Sequence, residues 1–327
     1  MGLHPTVAAV RLAVRRAVAD LDPGACVLVG CSGGADSLAL LSATVFEARR
    51  AAFRVVGVTV DHGLQAGSDR RARDLAGTMR AMGADDAVVA TATVGTRGGP
   101  EAAARTARYS ALDRVADEQG ADVLLLGHTR DDQAETVLLG LARGSGARSL
   151  AGMAPRAGRY RRPLLDLGRD DTLAACRAEG LEVWEDPHND DPSFTRVRVR
   201  RSVLPVLERE LGPGVTDALA RTARLLRDDA DALDELAAEA LGRARAEDGG
   251  LSVGVLEPLS PAVRRRVLRR AALEAGCPAT ELFAVHVDAT DTLVTRWHGQ
   301  VGVDLPGHVR VRRTGGSIRF ERNPVAG

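Results

Sequence analysis

The chain has 327 residues, 45% of them hydrophobic and 27% charged, with a formal net charge of zero. That balance suits about two folded domains; no apolar run approaches the ~20 residues of a membrane helix, and a neutral chain has no global field to draw a nucleic acid. All 44 basic residues are arginine, which excludes a Walker A loop, a lysine Schiff base and the covalent enzyme lysine–AMP intermediate of a ligase, since each needs a lysine amine of the protein.

The first 21 residues carry Arg11, Arg15 and Arg16 among apolar positions, which predicts an amphipathic helix rather than a signal peptide. Short Val- and Leu-rich runs then appear at 26–30, 54–60, 87–93 and 122–127, with helical patterns at 36–50, 69–82, 101–119 and 130–142 between and after them. Strands alternating with helices of 10–15 residues predict βαβ units and a doubly wound parallel sheet, whose ligands bind beyond the carboxyl ends of the strands. Glycines and prolines over 144–168 read as loop, with a helix near 170–179 after them. The stretch 203–241 reads as one long helix with a solvated acidic face. A basic helix over 261–275 and a β-like end over 302–320 complete a second, smaller domain.

Four segments carry groups suited to chemistry. Ser32-Gly33-Gly34-Ala35-Asp36-Ser37 lies between a strand and a helix. Paired glycines let N–H groups turn inward, the helix N-terminus adds donors and partial positive charge, and Asp36 can hold a divalent cation bridging phosphates. An ordinary glycine turn with an aspartate cap is the bland alternative; the order strand, loop, helix favours an anion site. Asp61 and His62 end the second strand, facing the same crevice or capping a turn. Glu101, Arg105 and Arg108 share one helical face, either as an ion-pair ladder or with an arginine aimed at phosphates. His128, Asp131, Asp132 and Glu135 crowd the start of the next helix. Carboxylates there are good caps, yet a pair at a crevice also suits an ammonium substrate that must lose a proton.

The hexapeptide resembles the pyrophosphate loop of the N-type ATP pyrophosphatases, which implies an adenine nucleotide α-hydrolase-like fold. With Arg162-Pro163-Leu164-Leu165, the run 184–189 and Arg196-Val197-Arg198-Val199-Arg200-Arg201, the pattern over about 26–206 resembles the tRNA(Ile)-lysidine synthetase family. Val197 stands where that family often has Asn. The resemblance implies a catalytic domain over 1–207, and a helical linker with a mainly helical, tRNA-binding C-terminal domain over 208–327. It implies ATP and Mg²⁺ as cofactors, with Ser32, Gly33, Gly34, Ala35, Asp36, Ser37, Asp61, His62 and His128 around the nucleotide and Asp36 on the metal. Asp36, Arg105, Asp132 and Glu135 would be catalytic, Asp132 and Glu135 would bind free L-lysine, and Arg196, Arg198, Arg200 and Arg201 would meet tRNA. The implied reaction joins lysine to C2 of the wobble cytidine of a CAU anticodon through an adenylated tRNA, changing codon reading from AUG to AUA. A tRNA thiolase with the same loop and a non-catalytic ATP- or RNA-binding protein are the alternatives; thiolases related to cytidine thiolation use paired cysteines, and Cys26, Cys31, Cys176 and Cys277 form no C-x-x-C. Scattered cysteines predict a reducing, cytoplasmic setting. No membrane partner is expected, and a homodimer is the assembly considered. Arg264, Arg265, Arg266, Arg269 and Arg270 read either as a phosphate-binding patch or as a solvated helix face.

Overall fold

The computed structural model describes residues 2–61, 63, 67–92, 100–144, 146–184, 191–247 and 249–322. His62 and most of the run 184–189 lie outside the described residues, as does the side chain of Glu101. The chain forms two compact units, 1–227 and 228–327.

In the first unit, helix α1 (Pro5–Ala17) precedes β1 (Cys26–Gly30), α2 (Ala35–Ala51), β2 (Arg54–Asp61), α3 (Ser68–Ala81), β3 (Asp86–Thr91), α4 (Pro100–Gln119), β4 (Val123–Leu126) and α5 (Arg130–Ala142). β1 pairs in parallel with both β2 and β4, Leu28 lying between Val56 and Leu124. Because side chains alternate along a strand, two cores form. Val27, Val29, Val55 and Leu125 join α1 and α2 on one face, while Leu28, Val56, Leu124 and Leu126 pack on Leu112 and Val115 of α4 on the other. Burial on both faces is why these strands read as continuous apolar runs rather than alternating ones.

The short helix α6 (Ala147–Leu150) and two-residue strands β5 (Arg156–Ala157) and β6 (Tyr160–Arg161) follow, and the sheet order is β3-β2-β1-β4-β6-β5. The segment 144–168 is therefore more than loop: β6 adds to β4 in parallel, and the buried Arg161 ties it to α1 through Asp20 and the Ala17 carbonyl. Strand order runs outward from β1 in both directions, so the chain reverses between β1 and β4. A doubly wound sheet opens its ligand crevice at that reversal. Helix α7 (Arg169–Glu179) then packs on α1 and α2.

From residue 195 the chain is helical again: α8 (Thr195–Arg198), a π-helical turn (Val199–Val203), α9 (Leu204–Leu211) and α10 (Val215–Ala244). The single helix expected over 203–241 is broken. Gly212 and Gly214 take φ of +97° and +98° around Pro213, and Glu208 accepts hydrogen bonds from the N–H groups of Gly214, Val215 and Thr216, making a fresh helix start.

The second unit holds β7 (Leu251–Ser252), α11 (Val253–Leu256), α12 (Pro261–Glu274), α13 (Ala284–Thr295), β8 (Val303–Leu305), β9 (Val309–Thr314) and β10 (Ser317–Arg322). Its four-stranded sheet, in order β7-β10-β9-β8, is antiparallel, and adds a small sheet to a unit otherwise built mainly of helices. The basic run on α12 is in part a solvated face, with Arg265 and Arg270 exposed, and in part buried or paired. Arg264 is buried, with Nε 2.6 Å from Asp291. Arg265 and Arg266 pair with Asp288 and Asp234, and Arg269 and Arg270 donate to the carbonyls of Leu282 and Asp234.

Candidate active site

The loop leaving β1 turns at Gly33, whose φ of +86° is a left-handed conformation that only glycine adopts cheaply. Ser37 Oγ accepts from the Ser32 N–H and donates to the Gly34 carbonyl, so the two serines of the hexapeptide staple the loop to the first turn of α2. No side chain caps that helix at Gly34, and an uncapped N-terminus aimed into a crevice is an anion site. Where β4 leaves the sheet, Gly127 presses on the same turn: a Cβ there would lie 2.9 Å from the Asp36 carbonyl oxygen and 3.2 Å from Ser37 N.

Asp36 stands in that turn. Burial, together with nearby Asp132, pushes its carboxyl up to about 6, against the pull of a hydrogen bond from Thr172. The Thr172 hydroxyl, itself wholly buried, donates to Asp36 Oδ1 at 2.5 Å.

Across the crevice, α5 begins at Thr129. Asp132 Oδ2 accepts from the Thr129 N–H at 2.8 Å, as a cap does. Its Oδ1 faces the Arg169 guanidinium, with Nη2 at 2.5 Å, and Arg200 Nη2 at 3.7 Å. Asp132 thus caps α5 with one oxygen and faces guanidinium groups with the other. Glu135 has no exposed surface and lies among three arginines: Arg200 Nε at 2.8 Å, Arg169 Nη1 at 2.9 Å and Arg196 Nη1 at 3.6 Å. Asp131 accepts from the Arg169 backbone N–H at 3.0 Å.

Arg169 is the residue that sequence reading passed over. Its Nε is 3.9 Å from Asp36 Oδ2, so one guanidinium touches Asp132 and Glu135 and borders the nucleotide-side carboxylate as well. Nothing local marks it; only the packing of α7 brings it within reach of residues over thirty positions away.

Of the four arginines expected to meet tRNA, Arg196 and Arg200, one helical turn apart, converge on Glu135. Arg198 donates to the carbonyls of Pro192 and Ser193 and to Thr195, and Arg201 is exposed. Val197 is buried. Arg105 donates to the Tyr109 hydroxyl and lies over its ring. Asp61 accepts from the Gly63 N–H at 2.9 Å, capping the turn after β2.

His128 is pushed down to about 3 by burial, with Arg108 and Arg162 adding to the shift and Asp132 opposing it, so it is neutral at pH 7. Its Nδ1 and the Nε of Arg108 are buried and have no hydrogen-bond partner among the described residues. A buried Arg108 donor left unpaired beside crowded guanidinium groups fits an anion of several charges. No cluster of three or more His, Cys, Asp or Glu suited to a metal occurs among the described residues. Mg²⁺ held by a nucleotide needs only one or two protein carboxylates, and Asp36, in the first turn of α2, is a carboxylate that fits that need.

A doubly wound sheet with a glycine-serine anion loop at its reversal point and an arginine-rich crevice beyond it defines a PP-loop nucleotide-binding protein. Residues 8–207 match the PP-loop domain family and residues 251–319 match the TilS substrate binding domain. The chain is 54% identical to the tRNA(Ile)-lysidine synthase of Streptomyces coelicolor, over 97% of this chain and 99% of that one. It is 59% identical to the same enzyme of Thermobifida fusca, over 97% and 98%. The chain belongs to the tRNA(Ile)-lysidine synthase family and is an enzyme of that family. In fold it is similar to the U34-tRNA thiolase NcsA from Methanococcus maripaludis, with a TM-score of 0.56 and 21% identity over 68% of this chain and 80% of that one.

Proposed function

We propose that the chain ligates free L-lysine to C2 of the wobble cytidine of CAU-anticodon tRNA(Ile), consuming ATP and releasing AMP and pyrophosphate. The observation that carries this reading is that one crevice joins an anion loop to a carboxylate pair through Arg169. In the first step the cytidine O2 attacks the α-phosphorus and pyrophosphate leaves. In the second, the lysine ε-amine attacks C2 and AMP leaves with the oxygen.

The residues have distinct tasks. Gly33, Gly34 and the first turn of α2 hold phosphate oxygens with N–H groups, with Ser32, Ala35 and Ser37 shaping the loop. Bound at Asp36, Mg²⁺ supplies charge neutralisation on the phosphates. Arg105 and Arg108 stabilise the charge that builds on the departing pyrophosphate. Asp132 receives the ammonium and accepts its proton, and Glu135 holds the surrounding guanidinium groups in position. Arg201 contacts the tRNA backbone. The four cysteines are free, which supports a cytoplasmic setting, and no helix among the described residues is long and apolar enough to cross a membrane.

The test is direct. The protein is incubated with CAU-anticodon tRNA(Ile), ATP, Mg²⁺ and lysine, and the digested nucleosides are weighed by mass spectrometry. Lysidine at the wobble position is expected, and unmodified cytidine with no ATP consumption overturns the reading.

A further inference from the structure

The carboxylates assigned above to the lysine ammonium already hold a cation. Arg169 donates from Nη2 to Asp132 Oδ1 and from Nη1 to Glu135 Oε1. The Arg169 guanidinium, 2.5 Å from Asp132 Oδ1 and 2.9 Å from Glu135 Oε1, fills the place where an ammonium would bridge the two carboxylates. Lysine binding therefore requires Arg169 to give way.

The surroundings say which part moves and where to. The backbone of Arg169 is fixed: it opens α7, and its N–H donates to Asp131. Only the side chain is available. Glu135 has Arg200 at 2.8 Å as a second cation beside Arg169. Asp132 Oδ1 has Arg200 at 3.7 Å as its next cation, so it exchanges partners with less loss of charge balance. On its other side the Arg169 guanidinium borders Asp36, the loop where phosphates collect. A guanidinium binds phosphate with charge-assisted, often bidentate hydrogen bonds.

The geometry points to Arg169 as an ionic gate of the lysine subsite: in the nucleotide-free enzyme it covers Asp132, and the phosphates of bound ATP draw it toward Asp36 and uncover the carboxylate for the ε-ammonium. The inference rests on the function proposed above and adds an order to it, nucleotide before lysine. Arg169 is then a positioning residue that links the two half-reactions. The link is a coupling free energy, so it is reciprocal: nucleotide tightens lysine by the factor with which lysine tightens nucleotide.

The experiment measures lysine affinity by calorimetry on the full chain, without nucleotide and with saturating Mg²⁺ and α,β-methylene-ATP. Wild type is expected to bind lysine roughly tenfold or more tightly when the analogue is present. In Arg169→Gln the ratio falls to within about twofold, because lysine binding without nucleotide improves. Equal lysine affinity in the two wild-type arms overturns the gate, and so does an undiminished ratio in Arg169→Gln. If circular dichroism shows Arg169→Gln unfolded, Arg169→Lys decides. A single ammonium spans the two carboxylates poorly, so a reduced ratio supports the gate and an unchanged one overturns it. Lysine that binds neither free enzyme, nor nucleotide complex, nor the complex with adenylated tRNA overturns the proposed ligation itself and the gate with it.

Discussion

Thr172 donates its hydroxyl to Asp36 from 136 residues away, at 2.5 Å, across the junction of α7 and α2. The bond matters because Asp36 is a buried carboxyl pushed up to about 6. A hydrogen bond to the charged form opposes that push, so Thr172 keeps Asp36 ionised near neutrality. If the carboxylate holds Mg²⁺, nucleotide affinity should fall as pH drops through about 6. Thr172→Val should move that midpoint upward, since the group that favours the anion is gone. Titration of Mg²⁺–ATP binding against pH in both proteins checks it, and an unchanged or lowered midpoint refutes it.

Asp36→Ala removes the carboxylate proposed to hold Mg²⁺, and the Thr172 hydroxyl keeps the Arg169 carbonyl as an acceptor. Adenylation of tRNA should be lost while the thermal transition stays within a few degrees of wild type. ATP–pyrophosphate exchange is the measurement, and normal exchange in the folded variant removes Asp36 from the mechanism.

Gly127→Ala tests whether β4 positions the loop. The added methyl meets only backbone atoms, Asp36 C and O and Ser37 N, and backbone yields less readily than a side chain. Shifting the first turn of α2 by a few tenths of an ångström should cost adenylation roughly tenfold to a hundredfold. Gly77→Ala on α3, where a Cβ meets nothing within 4 Å, is the control and should leave the rate unchanged.

Much of this was legible in the chain. The strands and helices from Cys26 to Ala142 stand out because their signals are local: apolar runs, glycine turns and helical spacing. The carboxylates of α5 and the loop are contiguous motifs for the same reason. What stayed hidden depends on approach in space. Arg169 and Thr172 lie in an unremarkable helix start, and only its packing turns them toward Asp36 and α5. β5 and β6 have two residues each, too few to show a period. Arg264 reads as one more surface arginine until α13 brings Asp291 against it. The break at Gly212-Pro213-Gly214, by contrast, is turn chemistry visible in the sequence, set in a stretch that otherwise reads as helix.

Asp132→Asn and Glu135→Gln should separate two roles that adjacency in sequence merges. Asparagine at 132 can still accept from the Thr129 N–H, so the cap survives and only the charge facing Arg169 is lost. Its KM for lysine should rise, excess lysine should restore much of the rate, and adenylated tRNA should accumulate. Glu135→Gln leaves the buried carboxylate's three arginines uncompensated, and breaking such a buried set costs ~3–5 kcal/mol. At ~2–4 °C per kcal/mol its Tm should fall well below that of Asp132→Asn, with no rescue by lysine. A larger Tm loss in Asp132→Asn would reverse the two assignments.

Glu208 offers a prediction about stability that leaves the crevice untouched. Three N–H groups and the Thr216 hydroxyl at the start of α10 hold its carboxyl down at about 2, led by the Thr216 N–H. In the unfolded chain a glutamate titrates near 4.3. A depressed folded value means that the stabilisation is fully present above the unfolded value and is lost as pH falls toward the folded one. Wild type should therefore exceed Glu208→Gln in Tm at pH 7, by roughly 1–2 °C for an exposed charge at a helix N-terminus. The gap should narrow progressively from about pH 4.5 downward and vanish near pH 2. Calorimetric scans of both proteins across that range decide it. A gap independent of pH would mean that glutamine loses shape or packing rather than charge, and that the break after Leu211 is held by the glycines alone.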